Sequence, residues 1–107
     1  MPSKDDIVAF LGIFYTVNRA QRLGIIKHLT SQQCQILREA VYNLLFNSSI
    51  QIIDKDRQYF NRRMTVLRML ASKRVCVKEK RNLLVANQAL LQKVVSIVIN
   101  YLDKKEV

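Results

Sequence analysis

Residues 30–45 read TSQQCQILREAVYNLL, and this stretch decides the fold class. Thr30 and Gln33 have the spacing of a capping box, in which each side chain accepts a hydrogen bond from the other residue's backbone amide. The apolar residues that follow recur every three or four positions, as on one face of a helix, and they are Ile36, Leu37, Ala40, Val41, Leu44 and Leu45. The stretch predicts an amphipathic α-helix that ends at Asn47-Ser48-Ser49.

Two further capping signals precede this helix, and an apolar segment follows it. Ser3 with Asp6 predicts the start of a first helix, and Asn18 predicts the start of a second one that continues through Leu29. Ile50–Ile53 has no second strand in the sequence with which it could pair. We therefore expect an extended connector there, with isoleucines that fill the core.

The second half of the chain predicts three more helices. Asp54 is expected to cap a long helix that reaches Ser72, and a short helix over 78–85 and a hydrophobic helix over about 88–102 follow. Half of the 107 residues are hydrophobic, which is enough for one core. The expected fold is all-α: a single helical domain over residues 1–107, a compact bundle of five to six helices with the last helix at or near its centre.

Most of the net charge of +10 lies in residues 55–81, which we call the basic segment. This segment holds ten basic and two acidic residues, so its net charge is +8. Because acidic residues four positions away are scarce, an anion-binding surface is favoured over a merely solvated helix face. Positions 57, 61 and 68 are expected to share one face of the long helix. The residues expected to contact phosphates are Arg57, Arg62, Arg68, Lys73, Arg74, Lys78, Lys80 and Arg81.

Charge alone leaves open which acidic partner this surface binds. The leading expectation is largely sequence-independent binding of nucleic acid, with double-stranded DNA as its form. The alternative is a protein-interaction or self-assembly module, in which residues 90–102 form a homo-oligomer interface and the basic face binds an acidic protein. Polar residues interrupt 83–102 about every four positions, which disfavours a membrane span. Tyr59 and Phe60 fall on the apolar face of their helix, so core packing is favoured over stacking on bases.

The sequence has no pattern typical of an enzyme. No nucleophile lies near a base and no Gly-rich phosphate loop is present, so we expect neither catalysis nor a cofactor. Cys34, Cys76 and His28 are too few and too scattered for a metal site, although Cys76 near a helix start is a candidate reactive thiol. Asp5 and Asp6 occupy the place of the positive region of a signal peptide, so we expect an intracellular protein, in the nucleus or a virion.

One pattern across the basic segment resembles a known family. It consists of Arg63, Leu67, Arg68, Leu70, Ala71, Lys73, Val75, Val77, Lys78, Lys80, Arg81, Leu83 and Leu84, and it is similar to small basic proteins of Polinton/Maverick elements and adintoviruses. The resemblance extends over about residues 9–86. It implies a viral or virus-derived core protein that accompanies packaged DNA. Val85–Leu90 lacks the Gly-Gly and Pro of the hydrophobic tail in that family, so the resemblance implies no cleavage or membrane role for this part of the chain.

Overall fold

The computed structural model describes residues 3–105 (the backbone alone at 104 and 105), and this part of the chain forms seven α-helices and no strand. The helices are α1 (Lys4–Thr16), α2 (Arg19–Lys27), α3 (Ser31–Phe46), α4 (Asp54–Asn61), α5 (Met64–Ala71), α6 (Val77–Ala86) and α7 (Gln88–Lys105). The radius of gyration is 12.9 Å, which is typical of a compact domain of this length. The all-α class is confirmed, and the number of helices is one or two higher than expected.

The first three helices begin at the predicted capping residues. Ser3, Asn18 and Thr30 each accept a hydrogen bond from the backbone amide three residues later, at 3.1, 2.8 and 3.1 Å. In each case the side chain at that later position accepts a bond from the amide of the capping residue. These reciprocal bonds satisfy amides that a helix leaves without intrahelical partners, and they fix where the chain enters each helix.

The predicted long helix over 54–72 is interrupted, and this break accounts for the additional helix. The amide of Arg63 donates to the Phe60 carbonyl at 2.9 Å instead of to Tyr59. The Tyr59 carbonyl accepts a bond from the Arg63 side chain, Nη1, at 3.0 Å. A side chain thus replaces the backbone donor in the helical ladder, which is one of the recognised causes of a helix break. The cap is also shifted, because Ile53 is the N-cap and Asp54 is the first helical residue.

The segment before α4 is the expected extended connector. Ile50 is buried in the core and Ile52 packs against it, while Ile53 is 66% exposed. Ile50 therefore fills the core and Ile53 faces outward, so this connector contributes to the core before the chain enters α4.

The core is arranged around α3, which packs against α1, α5, α6 and α7. Helix α7 packs against α1, α3 and α6, so it lies in the core as expected, but α3 is the helix that joins the two sides of the bundle. The buried side chains of α7 are Leu90, Leu91, Val94, Val95 and Val98. No single helix within residues 3–105 is long and apolar enough to cross a membrane, and α6 and α7 meet that criterion only as a pair bent by 98°.

Leu67 provides a test of how α5 is held against the bundle, since its side chain is completely buried. Leu67→Ala is expected to lower the free energy of unfolding by about 2–5 kcal/mol, because it removes buried methyl groups and leaves a cavity. Thr65→Ala, at an exposed position of the same helix, is the matched control and should change it by no more than about 0.5 kcal/mol. Urea denaturation followed by circular dichroism measures both values, and equal stabilities of the two variants would contradict this packing.

Candidate nucleic-acid interface

The basic segment presents seven exposed cations on consecutive elements, and all of them except Lys55 are predicted contact residues. Six of the eight predicted contact residues have exposed side chains, and these six form what we call the basic surface. They are Arg57 in α4, Arg62 between α4 and α5, Arg68 in α5, Lys73 and Arg74 between α5 and α6, and Lys78 in the first turn of α6.

No partner among the described residues neutralises the positive charge of the basic surface. Throughout residues 3–105, none of its six side chains makes a hydrogen bond or an ion pair. Asp56, one of the two acidic residues of the basic segment, pairs instead with Lys93 of α7 at 3.2 Å. The other, Glu79, is exposed and unpaired in the described chain. The cations therefore remain available to an external anion.

Packing of α5 directs part of the basic surface outward. Leu67 and Leu70 are buried, and α5 packs against α3 and α6 while α4 packs against α5. Arg68, between the two leucines in sequence, is consequently on the solvent side of α5. The break at 62–63 removes the single helical face that positions 57, 61 and 68 were expected to share, because it interrupts the helical register.

Lys80 is one of the eight predicted contact residues, but the structure does not place it on the exposed surface. Its side chain is only 5% exposed, and it faces the core with Leu84 of the same helix. Burial lowers the pKa of Lys80 below its ordinary value, the neighbouring Cys34 thiol opposes that shift, and the Arg38 guanidinium adds to it. The sequence contained the signal, since Lys80 and Leu84 are four residues apart and so share a helix face.

Arg81 is also withdrawn from the surface and has a structural role instead. Its side chain is partly buried, and Nη2 donates to the Leu29 carbonyl, just beyond the end of α2, at 2.6 Å. This bond connects residues 52 positions apart and fastens α6 to α2. Within the described chain the Nε of Arg81 is buried and has no partner. Two of the eight predicted contacts are therefore internal groups.

The aromatic residues of α4 are committed to packing, as expected. Phe60 is buried, and Tyr59 is partly buried against the core. The guanidinium of Arg63 lies over the Tyr59 ring, 3.7 Å from its centroid, and the ammonium of Lys93 lies 5.1 Å from the same centroid. These cation–π contacts cover the ring, so Tyr59 offers no free platform for a nucleic-acid base.

The two cysteines and the histidine lie in different surroundings. Cys76 is exposed at the N-cap of α6, whereas Cys34 is buried. Burial raises the pKa of the Cys34 thiol, and the charges of Lys80, Arg81 and Arg38 only partly oppose this shift. His28 is the exposed C-cap of α2. Across residues 3–105, no group of three or more His, Cys, Asp and Glu side chains could hold a metal ion.

The hydrophobic face of the last helix is largely occupied inside the chain. Its five buried residues, from Leu90 to Val98, contribute to the same core as α1 and α3. Ile97, Ile99, Tyr101 and Leu102 are only partly buried and pack against that core. A self-assembly interface over 90–102 would have to use these remaining side chains.

Arg81→Met tests the difference between an internal arginine and a surface one. The variant keeps an apolar stem of similar length but loses the bond to Leu29, so the free energy of unfolding should fall by about 1–3 kcal/mol. Arg68→Met removes an exposed, unpaired arginine and should change it by no more than about 0.5 kcal/mol. Chemical denaturation of the two variants measures the difference, and the reverse order of stabilities would contradict the assignment.

Comparisons of the chain with family models, with curated proteins and with solved structures found no match. The function of the basic surface is therefore inferred from its charge, exposure and geometry.

Proposed function

We propose that this protein binds nucleic acid, in the form of double-stranded DNA, without catalysis and largely without sequence preference. The observation that carries the proposal is the basic surface itself: six exposed arginine and lysine side chains, none of which is paired within the described chain. A polyanion with regularly spaced charges supplies the missing counter-charges. Each phosphate that is neutralised releases condensed counterions, which is the main source of sequence-independent affinity.

Contacts to the phosphate backbone suit this surface better than readout of base edges. Base readout in the major groove requires one recognition helix that presents several side chains along the groove. Here the cations are divided among two short helices, the start of a third, and the segments between them. Helices α4 and α5 have eight residues each, and each is about 12 Å long. Such an arrangement positions charges on a backbone and specifies no sequence.

The resemblance to small basic proteins of Polinton/Maverick elements and adintoviruses extends the proposal to the biological setting. Arg68, Lys73 and Lys78 belong both to the quoted pattern and to the exposed basic surface. On this basis we propose a viral or virus-derived core protein that accompanies packaged DNA, in the nucleus or in a virion. Neutralising DNA charge is the physical requirement of packaging, and the basic surface supplies cations for it.

Salt dependence of duplex binding is the first test. If all six cations contact phosphates, the logarithm of the affinity should fall with the logarithm of salt concentration with a slope of about −5. Between 50 and 200 mM salt the affinity should then fall by about 10³-fold. Fluorescence anisotropy with duplexes of two unrelated sequences measures the slope and the sequence preference together. Binding that does not respond to salt would contradict the proposal.

Substitution of one cation tests whether the basic surface is the site. Arg68→Gln should weaken duplex binding by about 3- to 10-fold for every sequence and reduce the salt slope by about 1. Arg19→Gln, which removes an exposed arginine of α2 outside the basic segment, is the matched control and should leave the slope unchanged. Replacing all six cations by glutamate should abolish binding.

Sedimentation in the presence and absence of the duplex distinguishes this function from a self-assembly module. A chain that binds DNA tightly and does not require a stable oligomer supports the proposal. Two outcomes would favour the protein-interaction alternative over DNA binding. One is a stable oligomer that does not respond to DNA, and the other is tight binding of an acidic protein by the same six residues without DNA binding.

A further inference from the structure

A second basic feature lies beside the basic surface, in a pocket between α3 and α6. The pocket is open to solvent and has a volume of about 360 Å³. Its lining includes the first helical residue of α3, Ser31, together with Gln35 and Arg38 one and two turns later. From the other side it is lined by Lys73, Val77 and Lys80. Two helix starts and three cations therefore border one space.

The ammonium of Lys80 is the first observation that points to a ligand there. The residue is 95% buried, and in the described chain its side chain has neither a hydrogen bond nor an ion pair. The stem of Lys80 is buried, whereas its ammonium is not among the fully enclosed side-chain nitrogens and borders the open pocket, so an anion that enters the pocket can reach it. Within residues 3–105, no anionic group pairs with it.

The other cations of the pocket add to this deficit of negative charge. The Arg38 side chain is largely buried and bonds to its neighbour Glu39 at 2.6 Å. Lys73 is exposed and unpaired in the described chain. One carboxylate therefore stands against three cations, and the like charges of Arg38 and Lys80 disfavour each other.

The two helix starts provide additional positive potential. Ser31 and Val77 are the first residues of α3 and α6, and both border the pocket. Cys76, the N-cap of α6, makes no side-chain bond to the first turn within the described chain. The capping box of α3 engages the amides of Thr30 and Gln33, and not that of Ser31. Free first-turn amides and the helix dipole favour anions at such ends.

We propose that this pocket binds a single phosphate group, with the ammonium of Lys80 as its central counter-charge, Arg38 and Lys73 as flanking cations, and the first-turn amides of α3 and α6 as donors. A phosphate group has several acceptor oxygens that point in different directions, which matches donors that converge from two helices and a loop. The pocket has room for such a group with several waters, each of which takes about 30 Å³ of liquid volume. This inference does not depend on DNA binding, because the phosphate can be free inorganic phosphate or one phosphate of a nucleic acid.

The test is titration of the full chain with inorganic phosphate at constant ionic strength, with chloride as the reference anion. Isothermal titration calorimetry should show saturable binding at one site per chain. Amide chemical shifts in ¹⁵N spectra should move at Ser31 and Val77. Binding that does not saturate, or that chloride reproduces, would overturn the proposal.

Lys80→Met provides the decisive comparison, because it keeps an apolar stem and removes the ammonium. It should weaken phosphate binding by about 10- to 100-fold, the loss expected for one charge-assisted hydrogen bond. Its melting temperature without phosphate should be no lower than that of the wild type, since the apolar stem is kept and the ammonium has no partner to lose among the described residues. Lys27→Met, which removes an exposed lysine of α2, is the control and should bind phosphate normally. Equal phosphate affinity in Lys80→Met and the wild type would refute the site.

Lys73→Gln keeps the proposal testable if Lys80→Met does not fold, because Lys73 is exposed and its replacement removes no core contact. It should weaken phosphate binding several-fold, and an unchanged affinity would count against the pocket.

A parallel titration with duplex DNA identifies the source of the phosphate. If free phosphate competes with DNA and Lys80→Met weakens duplex binding, the pocket holds a phosphate of the DNA backbone. If Lys80→Met loses phosphate binding but keeps its affinity for the duplex, the pocket holds a free phosphate.

Discussion

Burial of the apolar faces of α3 is the constraint on which the remaining structure depends. Its buried residues are Cys34, Ile36, Leu37, Ala40, Val41 and Leu44, and they cover too wide an arc for one neighbouring helix to bury. Helices α5 and α6 therefore pack against α3, and so do α1 and α7. Each fully buried aliphatic side chain contributes about 1.5–3 kcal/mol, so α3 fixes the positions of both groups of helices. The basic surface is held in place through α5 by this packing.

The same packing determines which cations face solvent. In α5, burial of Leu67 and Leu70 leaves Arg68 on the opposite side. Helix α6 packs against four helices, α2, α3, α5 and α7, so Lys80 and Arg81 turn inward and only Lys78 of the three is exposed. Unpaired cations at a surface repel one another, and the hydrophobic core offsets that cost. A binding partner that neutralises them recovers this energy.

Local signals in the sequence were enough to predict the fold class, the starts of α1–α3 and the connector over 50–53, since capping boxes and apolar spacing depend on neighbouring residues only. The break between α4 and α5 was not predictable, because no Gly or Pro marks it and it depends on how the Arg63 side chain reaches the Tyr59 carbonyl. For the basic surface, charge indicated the segment, whereas exposure of each residue depends on tertiary contacts. Among the predicted contact residues, the burial of Lys80 was the one departure from exposure with a visible signal, its shared face with Leu84.

Lys73 connects the two basic features, because it belongs to the basic surface and also lines the pocket. The two differ in how salt acts on them. Exposed charges are screened over about 10 Å at 0.1 M salt, while a charge at the end of a largely buried side chain such as Lys80 is screened less. The exposed cations can therefore attract a polyanion over a distance at low salt. Lys80 retains more of its attraction for an anion at close range when the salt is high, so the proposed phosphate site should depend less on salt than the open surface does.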